Sequence, residues 1–327
     1  MILITGAGGS LGGWVARQLA ADGADLAGLC RKPPPTPAPD APKIDWRVGD
    51  LRDRASLAAA LRGVDRVVHV AGLVDFRAKA FPELLAINVD GVRSLLRACA
   101  DADVKKVVHV SSVSTIGAVE RPGQVFTEDD FGRGRGCDLP YPQSKLRGEA
   151  VALEFAAAGL PVVIVNPTFF CGPGDINLKS AHTIVSFLQG QVWVGLTRGG
   201  FGYTDVRDVA TGVRLALEKG RSGRRYILGG TNILLREFHD LLAKIAGRRP
   251  PRIRLHPKPA EWLARAGRIY YRVQGKKPFV DVSDVRMGKQ HWFYDYSRAR
   301  EELGLVCRSP EESLRETIDW LRSTGRA

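Results

Sequence analysis

The feature that constrains this chain most is its beginning, where a short apolar strand runs straight into a glycine-rich turn. Residues 2–5 form the predicted strand, Gly6, Gly9 and Gly12 follow at three-residue spacing, and an amphipathic helix begins within the turn. Glycines in these places permit a tight turn and a close approach of the backbone to a pyrophosphate, which the free N–H groups of the helix start can bind. The turn therefore predicts a dinucleotide site with contacts from Gly6, Gly9, Ser10, Leu11 and Gly12.

Apolar strands and amphipathic helices alternate through the first half of the chain. The predicted strands are residues 2–5, 25–30, 44–48, 66–70, 106–111, 161–165 and 226–228, and the predicted helices between them are 12–21, 56–62, 81–100 and 141–158. Several strands are continuous valine and isoleucine runs, as in parallel strands that are covered on both faces. We predict an α/β fold, a Rossmann-type doubly wound parallel sheet with a smaller C-terminal substrate-binding lobe.

The second half of the chain indicates how the domains are divided. Predicted helices at residues 182–189, 235–246, 259–273 and 311–322 are separated by loops rich in glycine, proline or basic residues. We assign residues 1–168 and about 200–230 to the nucleotide-binding domain, and about 169–199 and 231–327 to the smaller lobe. Residues 33–42 are rich in proline, which lacks an N–H and clashes with the preceding helical turn. A loop is therefore predicted there in place of a crossover helix.

The end of the second predicted strand indicates which dinucleotide is bound. NAD sites of this kind carry an acidic residue there, which binds the adenosine ribose hydroxyls. This chain has Arg31 and Lys32 instead, and Asp25 lies too early in the strand. A guanidinium can stack on adenine and pair with a 2′-phosphate. We therefore predict NADP(H) as the cofactor, bound in part by Arg31 and Lys32, with NAD as the alternative.

A tyrosine and a lysine four residues apart supply candidate acid–base chemistry. Tyr141 and Lys145 share one face of a predicted helix. A nearby ammonium stabilises phenolate and lowers the pKa of a tyrosine from its usual value of about 10, which helps Tyr141 to exchange a proton with a carbonyl or alcohol oxygen. The fifth predicted strand ends in Ser111 and Ser112, at the sheet edge where open α/β sheets bind ligands. Ser112, or Ser114 as a second candidate, would orient the substrate oxygen.

These motifs together resemble the extended short-chain dehydrogenase/reductase family over almost the whole chain, most closely its dihydroflavonol-reductase-like and 3β-hydroxysteroid-dehydrogenase-like members. The resemblance implies that Ser112, Tyr141 and Lys145 are catalytic, and that Tyr141 and Lys145 also contact the cofactor. Further cofactor contacts are implied where the chain matches the family pattern, at Asp50, Leu51, Val70, Ala71, Gly72, Asn88, Ser111, Asn166, Pro167 and Thr168. A homodimer formed through helices 81–100 and 141–158 is implied as well.

Two activities known in this family are open for the chain. The preferred one is the NADP(H)-dependent reduction of a ketone or aldehyde on a hydrophobic small molecule, and the alternative is an NAD-dependent nucleotide-sugar epimerase or dehydratase. Phe201 stands where such epimerases carry an arginine that holds the substrate diphosphate, and Arg31 argues against NAD. A cofactor sensor without activity is a third hypothesis, which the complete catalytic set disfavours. The predicted substrate pocket is formed by Phe76, Ser114, Phe169, Phe170, Phe187, Trp193 and Tyr203.

The net charge of +13 is concentrated in residues 219–277. One helix of this segment is predicted to carry an apolar face and a basic face. Such a helix can lie on a membrane surface or dock an acidic acyl-carrier protein, and it can also pack its apolar face on its own domain. The two predicted faces are Trp262, Ala266, Ile269 and Val273 on one side and Arg265, Arg268 and Arg272 on the other.

The rest of the composition disfavours several classes of protein. No apolar run approaches the roughly 20 residues that span a bilayer, and the first residues lack the charged region of a signal peptide. We therefore predict a cytoplasmic protein, with membrane association through the basic segment left open. The five cysteines include no C-x-x-C pair and the six histidines show no ligand spacing, so no metal site is predicted. No nucleic-acid partner is predicted either.

Overall fold

The computed structural model describes residues 1–32, 41–119, 121, 123–134, 136–176, 178, 180–192, 194–275 and 282–327. Most of the loop predicted at 33–42 lies outside the described residues. The strands are β1 (Ile2–Thr5), β2 (Leu26–Cys30), β3 (Asp45–Val48), β4 (Arg66–His69), β5 (Lys106–Val110), β6 (Val162–Pro167), β7 (Phe169–Cys171), β8 (Val194–Leu196), β9 (Gly200–Asp205), β10 (Arg225–Leu228), β11 (Thr231–Leu234), β12 (Ile253–Leu255) and β13 (His291–Trp292). The helices are α1 (Ser10–Ala21), α2 (Arg54–Ala60), α3 (Phe81–Leu85), α4 (Gly91–Asp101), α5 (Pro140–Ala157), α6 (His182–Leu188), α7 (Val206–Lys219), α8 (Leu235–Ala246), α9 (Pro257–Val273), α10 (Val282–Gly288) and α11 (Pro310–Ser323).

The central sheet has the strand order β3-β2-β1-β4-β5-β6-β10, and every neighbouring pair in it is parallel. Successive residues of a strand point into different cores: Ile2 and Ile4 pack on one side of β1 and Leu3 packs on the other. Because both faces are covered, the inner strands β1, β4, β5 and β6 are almost entirely buried, whereas the edge strand β3 is partly exposed. The predicted doubly wound parallel sheet is confirmed.

Helices α1 and α7 cover one face of this sheet, and α2, α4 and α5 cover the other. Helix α7 is absent from our sequence prediction, although Val206, Val209 and Val213 recur at helical spacing and are fully buried. The helix begins after Asp205, whose carboxylate accepts the N–H of Arg207 at 2.8 Å and so caps the first turn. It is the crossover that leads from β9 to β10.

A second sheet, centred on β9, organises the smaller lobe. Strands β11 and β13 flank β9, and β7 also pairs with it. Helices α6, α8 and α11 pack on this sheet through residues such as Ile184, Phe238 and Ile318. Strand β9 belongs to this second sheet, although we assigned about 200–230 to the nucleotide-binding domain. The division into two domains stays a prediction.

Strands β8 and β12 form a separate two-stranded sheet at the side of the smaller lobe. Helices α9 and α10 pack beside it through a small core of Ala260, Ala264, Val282 and Val285. Within the described residues, no helix has both the length and the apolar character required to cross a lipid bilayer.

Candidate active site

The predicted catalytic residues meet where β5 ends and α5 begins. Ser112 follows β5 directly, and Tyr141 and Lys145 lie one turn apart in the first half of α5. The Ser112 side chain lies close enough to the Tyr141 hydroxyl to lower its pKa. The buried Lys145 ammonium donates to the carbonyl oxygen of Val110 at 2.8 Å. The structure therefore brings the three residues into one cluster at the carboxyl edge of the sheet.

The pKa values in this cluster differ from our expectation for Tyr141. Burial of the hydroxyl raises the pKa of Tyr141 to about 12, and the Ser112 side chain only partly opposes that shift. Burial also lowers the pKa of Lys145 to about 8, while the negative charge of Glu149 acts in the other direction. The lowering of the tyrosine pKa that we predicted is not seen, because desolvation dominates and the Lys145 ammonium is directed at a backbone carbonyl.

A buried carboxylate that the sequence analysis did not select lies one helical turn beyond Lys145. The carboxylate of Glu149 accepts hydrogen bonds from the hydroxyls of Ser111 (2.5 Å) and Thr115 (2.9 Å) and from the amide of Asn166 (2.8 Å). It also pairs with the guanidinium of Arg225 on β10 at 2.5 Å. Glu149 thereby ties β5, β6 and β10 to α5 directly below the catalytic cluster.

A sequence signal for Glu149 did exist. Tyr141, Lys145 and Glu149 follow one another at intervals of four residues, so all three share one face of α5. The same network has a consequence for Ser111, which we predicted as a cofactor contact. Its hydroxyl donates to Glu149 inside the protein, so the side chain positions the end of β5.

Asn88 fixes the loop that follows β4. Its Oδ1 accepts the N–H of Leu73 at 2.8 Å, and its Nδ2 donates to the carbonyl of the same residue at 2.9 Å. Asn88 lies in a π-helical turn, Ala86–Asp90, that interrupts the single helix predicted over 81–100. Gly148 permits α5 to pass this turn closely, because a Cβ at that position would lie 2.0 Å from the Asn88 carbonyl oxygen. The loop held in this way contains the predicted cofactor contacts Val70, Ala71 and Gly72.

The glycine-rich turn has the form of a phosphate site. The N–H of Gly9 donates to the carbonyl of Gly6 at 2.9 Å, and a Cβ on Gly12 would lie 2.1 Å from that same oxygen. Among the described residues, no side chain caps the start of α1, and the buried Ser10 hydroxyl has no hydrogen-bond partner. Uncapped N–H groups beside an unpartnered hydroxyl fit a pyrophosphate. Gly6, Gly9, Ser10, Leu11 and Gly12 are the residues that would hold it.

The match to a family model extends across the glycine-rich turn, the catalytic cluster and Glu149. Residues 2–229 match the model described as the NAD-dependent epimerase/dehydratase family. The chain belongs to this family. Its members are extended short-chain dehydrogenase/reductases, so the resemblance that the motifs indicated is confirmed.

Several relatives match this NAD-dependent epimerase/dehydratase family member over almost its full length. The "sterol demethylase protein B" of Methylococcus capsulatus is 31% identical, with 99% of this chain and 98% of the relative covered. The 4-hydroxy-2-methyl-3-oxo-4-farnesyl-3,4-dihydroquinoline-1-oxide ketoreductase of Stigmatella aurantiaca is 27% identical, with 99% and 96% covered. A solved nucleoside-diphosphate-sugar epimerase from Pseudomonas aeruginosa is 28% identical with a TM-score of 0.81, and 99% and 98% are covered. Similar proteins thus include a reductase and an epimerase.

Our sequence analysis predicted the adenosine end of the cofactor site at the ends of β2 and β3. Arg31 and Lys32 follow β2 and are exposed. Hydrogen bonds from Arg52 lower the pKa of Asp50 to about 2, and the charge of Arg31 contributes to that shift. Leu51 is buried beside the core of α2 and α4. This end of the site therefore presents two exposed cations beside a carboxylate that is already paired.

Our sequence analysis predicted the nicotinamide end of the cofactor site at the end of β6. Within the described residues, Oδ1 of the buried Asn166 has no hydrogen-bond partner, and the buried hydroxyl of Ser114 has none either. The N–H of Thr168 donates to the carbonyl of Leu228 at 3.0 Å, which joins the segment after β6 to β10. Cofactor contacts by Asn166, Pro167 and Thr168 stay predictions.

The predicted pocket aromatics divide into two groups, and the three residues of the first, Phe76, Phe169 and Phe170, are half-buried. Phe76 packs edge-to-face on Tyr141, with 5.2 Å between ring centroids. Phe169 is half-buried and packs edge-to-face on Phe201 at 5.0 Å. Phe170 is also half-buried, against the core beneath α7. Phe76 is the member of this group in direct contact with a catalytic side chain.

The second group belongs to the packed core of the smaller lobe, which corrects our prediction. Phe187 is buried and stacks on His239. Tyr203 is 1% exposed, and its hydroxyl shares a hydrogen bond of 2.8 Å with Ser313. Both side chains are held by core contacts, so we no longer count them as pocket walls. Trp193 lies outside the described residues.

Proposed function

We propose that the protein is an NADP(H)-dependent reductase that converts a ketone or aldehyde on a hydrophobic small molecule to an alcohol. The observation that carries the proposal is the cluster of Tyr141, Ser112 and Lys145 at the end of β5, in which the Ser112 side chain acts on the Tyr141 hydroxyl and the Lys145 ammonium binds the Val110 carbonyl. The exposed Arg31 and Lys32 support NADP(H). The names of the two curated relatives, a ketoreductase of a farnesylated quinoline oxide and a sterol demethylase component, support an apolar substrate.

The acid in this reaction is Tyr141. With a pKa of about 12, its hydroxyl holds its proton throughout the neutral range and can pass it to the carbonyl oxygen. The neighbouring Ser112 hydroxyl would donate a second hydrogen bond to the same oxygen and orient the carbonyl for reaction. When bound, NADPH supplies the hydride that the carbonyl carbon accepts. The phenolate left on Tyr141 then regains a proton from solvent.

Lys145 has two tasks in this scheme. As an ammonium it would stabilise the phenolate that forms on Tyr141 during turnover, and, as the family resemblance implies, it would also bind the nicotinamide ribose. Glu149 maintains its charge, because a buried carboxylate raises the pKa of a lysine that burial alone would lower further. The buried hydrogen bonds of Glu149 hold the end of β5 against α5, so that Ser112, Tyr141 and Lys145 keep their relative positions.

The alternative, a nucleotide-sugar epimerase, is favoured by the similarity to the Pseudomonas aeruginosa enzyme. It is opposed by the surroundings of Phe201, which packs on Phe169 and Phe238 at 5.0 and 5.1 Å. An apolar cluster therefore occupies the place where the family resemblance implies a diphosphate-binding arginine. Arg198 lies nearby in sequence but is exposed.

The test of the proposed function is NADPH oxidation with a panel of hydrophobic ketones and aldehydes, run beside a panel of nucleotide sugars. We expect substrate-dependent loss of NADPH absorbance with apolar carbonyls and an alcohol as the product. Interconversion of a nucleotide sugar without net redox change would contradict the proposal and support the epimerase.

The pH profile of reduction is a further expected outcome. Lys145 has a pKa of about 8, so its ammonium is present below that pH and is lost above it, whereas Tyr141 stays protonated to about pH 12. We expect kcat/KM for carbonyl reduction to be level from pH 6 to 7.5 and to fall about tenfold per pH unit above 8. A profile that stays level to pH 10 would contradict the role of the Lys145 charge.

Cofactor preference is expected to depend on the two cations after β2. The double variant Arg31→Ala and Lys32→Ala should bind NADPH about 10–100-fold more weakly, because it loses charge-assisted bonds to the 2′-phosphate. Binding of NADH should be almost unchanged. Titration calorimetry with both nucleotides measures the difference, and the double variant Arg62→Ala and Lys105→Ala removes two exposed cations elsewhere as a control. An equal loss for both nucleotides would contradict recognition of the 2′-phosphate.

A further inference from the structure

Helix α9 contacts the rest of the protein through a narrow strip of small residues. Ala260 and Ala264 are buried against Val282 and Val285 of α10. Because these side chains are small and lie on one side of the helix, most of its circumference faces outward. Our sequence analysis allowed the larger apolar residues of α9 to pack on their own domain, and the structure does not place them there.

Four large apolar side chains of α9 are exposed instead, and together we call them the apolar arc. Trp262 is 70% exposed, Leu263 60%, Ile269 66% and Tyr270 61%. At 100° per residue these positions fall within about a third of the helix circumference, opposite the buried alanines. Scattered exposed apolar residues are ordinary, but a contiguous exposed group of this size marks an interaction surface. Val273, which we predicted for the same face, has a side chain outside the described part of the structure.

A basic arc borders the apolar arc along the length of the helix. It is formed by Lys258, Arg265 and Arg268, all exposed. The guanidinium of Arg265 lies 5.6 Å from the centroid of the Trp262 ring, so the two arcs are in contact. The side chain of Arg272, predicted for this face, also lies outside the described part of the structure.

The positive charge extends beyond the helix. Residues 248–272 contain eight arginines and lysines but one acidic residue, Glu261. That carboxylate is already paired with Lys289 at 2.6 Å. Arg248, Arg249 and Arg252 precede β12 in the same part of the smaller lobe, and all three are exposed. A strongly cationic surface with little internal compensation therefore surrounds the apolar arc.

We propose that α9 is a peripheral membrane-binding element that lies in the headgroup region of an anionic lipid bilayer. An interfacial helix inserts its apolar side chains to a shallow depth while its cations pair with anionic headgroups. Tryptophan and tyrosine favour this interface because each combines an apolar ring with a polar atom. An acidic carrier protein would match the charge, but it would not account for four outward-facing apolar side chains along one helix.

Vesicle flotation tests this proposal with the full-length protein. We expect the protein to float with vesicles of phosphatidylglycerol and phosphatidylcholine at low salt, and to remain unbound with vesicles of phosphatidylcholine alone. Raising the salt concentration should weaken binding without abolishing it, because the apolar contribution is not screened. Equal binding to both kinds of vesicle, or no binding to either, would overturn the proposal.

Two double variants separate the contributions of the arcs. Arg265→Glu with Arg268→Glu should weaken binding to the anionic vesicles by about thirtyfold or more, since each cation near such a surface contributes about 1 kcal/mol. Trp262→Ala with Ile269→Ala should weaken binding by at least about tenfold through loss of buried apolar area. The matched control is Arg62→Glu with Lys105→Glu, which makes the same change in net charge at exposed positions outside this lobe. An equal loss in the control would overturn the proposal, because it would show attraction to net charge alone.

Other occupants of the apolar arc give distinct results. If a second copy of the chain covers it, the Trp262→Ala and Ile269→Ala variant should become a smaller species in light scattering, and the parent protein should not float with vesicles. If an acidic carrier protein covers it, the carrier should bind in titration calorimetry while vesicles of either composition do not. Either pattern would overturn membrane binding. Circular dichroism and NADPH binding of each variant exclude unfolding as the cause of a loss.

Discussion

Turnover of a carbonyl substrate is expected to fall by about a thousandfold when Tyr141 is replaced by phenylalanine, because positioned general acids contribute roughly 10²- to 10⁴-fold to such rates. The substitution removes the hydroxyl that gives a proton to the substrate oxygen. The phenylalanine ring can keep the edge-to-face contact with Phe76, so the fold of the site should be preserved. Steady-state kinetics at pH 7 and NADPH titration together measure the effect, with kcat falling and NADPH affinity changing little.

The matched control for this variant is Tyr271→Phe, which makes the same chemical change at a half-buried position of α9 outside the apolar arc. Its kcat should equal that of the parent protein. Unchanged turnover in Tyr141→Phe would contradict the assignment of the acid. A parallel loss of NADPH affinity and turnover would instead indicate that Tyr141 acts mainly in binding.

The second large effect concerns the buried Glu149. Replacing it by alanine is expected to lower the free energy of unfolding by about 3–5 kcal/mol, because the mostly buried Arg225 guanidinium loses its charged partner. Three hydrogen-bond donors lose their acceptor as well. They are the Ser111 hydroxyl directly after β5, the Thr115 hydroxyl in the turn that follows, and the Asn166 amide on β6. Urea unfolding monitored by circular dichroism measures the change.

The same variant should move the alkaline limb of the pH profile below pH 8, since the negative charge of Glu149 raises the pKa of Lys145 and burial lowers it.

The control for Glu149→Ala lies on the same helix. Glu154 pairs with Arg93 at 3.0 Å, but both side chains are more than half exposed, so Glu154→Ala should cost about 0–1 kcal/mol. A cost for Glu149→Ala as small as that for Glu154→Ala would contradict the buried network. A large loss of stability with an unmoved pH profile would restrict Glu149 to a structural role.

The parts of the fold and site that the sequence predicts well are those determined by neighbours in the chain. The glycine-rich turn is a local motif, because Gly6 and Gly12 must approach each other within one strand–helix junction. The pairing of Tyr141 with Lys145 follows from one helical turn. The apolar strands of the central sheet are recognisable because parallel strands are covered on both faces.

Features that depend on residues far apart in the sequence were not predicted. Arg225 is 76 residues from Glu149, and nothing in either local pattern indicates that they pair. The pKa of Tyr141 could not be anticipated either, because the spacing to Lys145 gives no information on burial or on the carbonyl of Val110 that the ammonium binds. Helix α7 is a different case, since its apolar spacing was present in the sequence and was overlooked.

The aromatic residues also show that local sequence does not reveal which side chains line a pocket. Phe76 and Tyr203 look alike as pocket candidates in the sequence, yet one contacts Tyr141 and the other is sealed in the core beside Ser313. Helix α9 shows the reverse situation. Its apolar face was clear from periodicity, but only the structure shows that the alanines make the internal contact and leave Trp262 exposed.

The most direct test of the central claim is the identity and retention of the nucleotide on freshly purified protein. Denaturation of a sample releases any bound dinucleotide for identification, and the remaining protein is titrated with NADPH and NADH. The reductase proposed here should carry no nucleotide or a readily exchanged one, and it should bind NADPH more tightly than NADH through Arg31 and Lys32. A stoichiometric NAD that does not exchange would contradict the cofactor assignment and place the epimerase first.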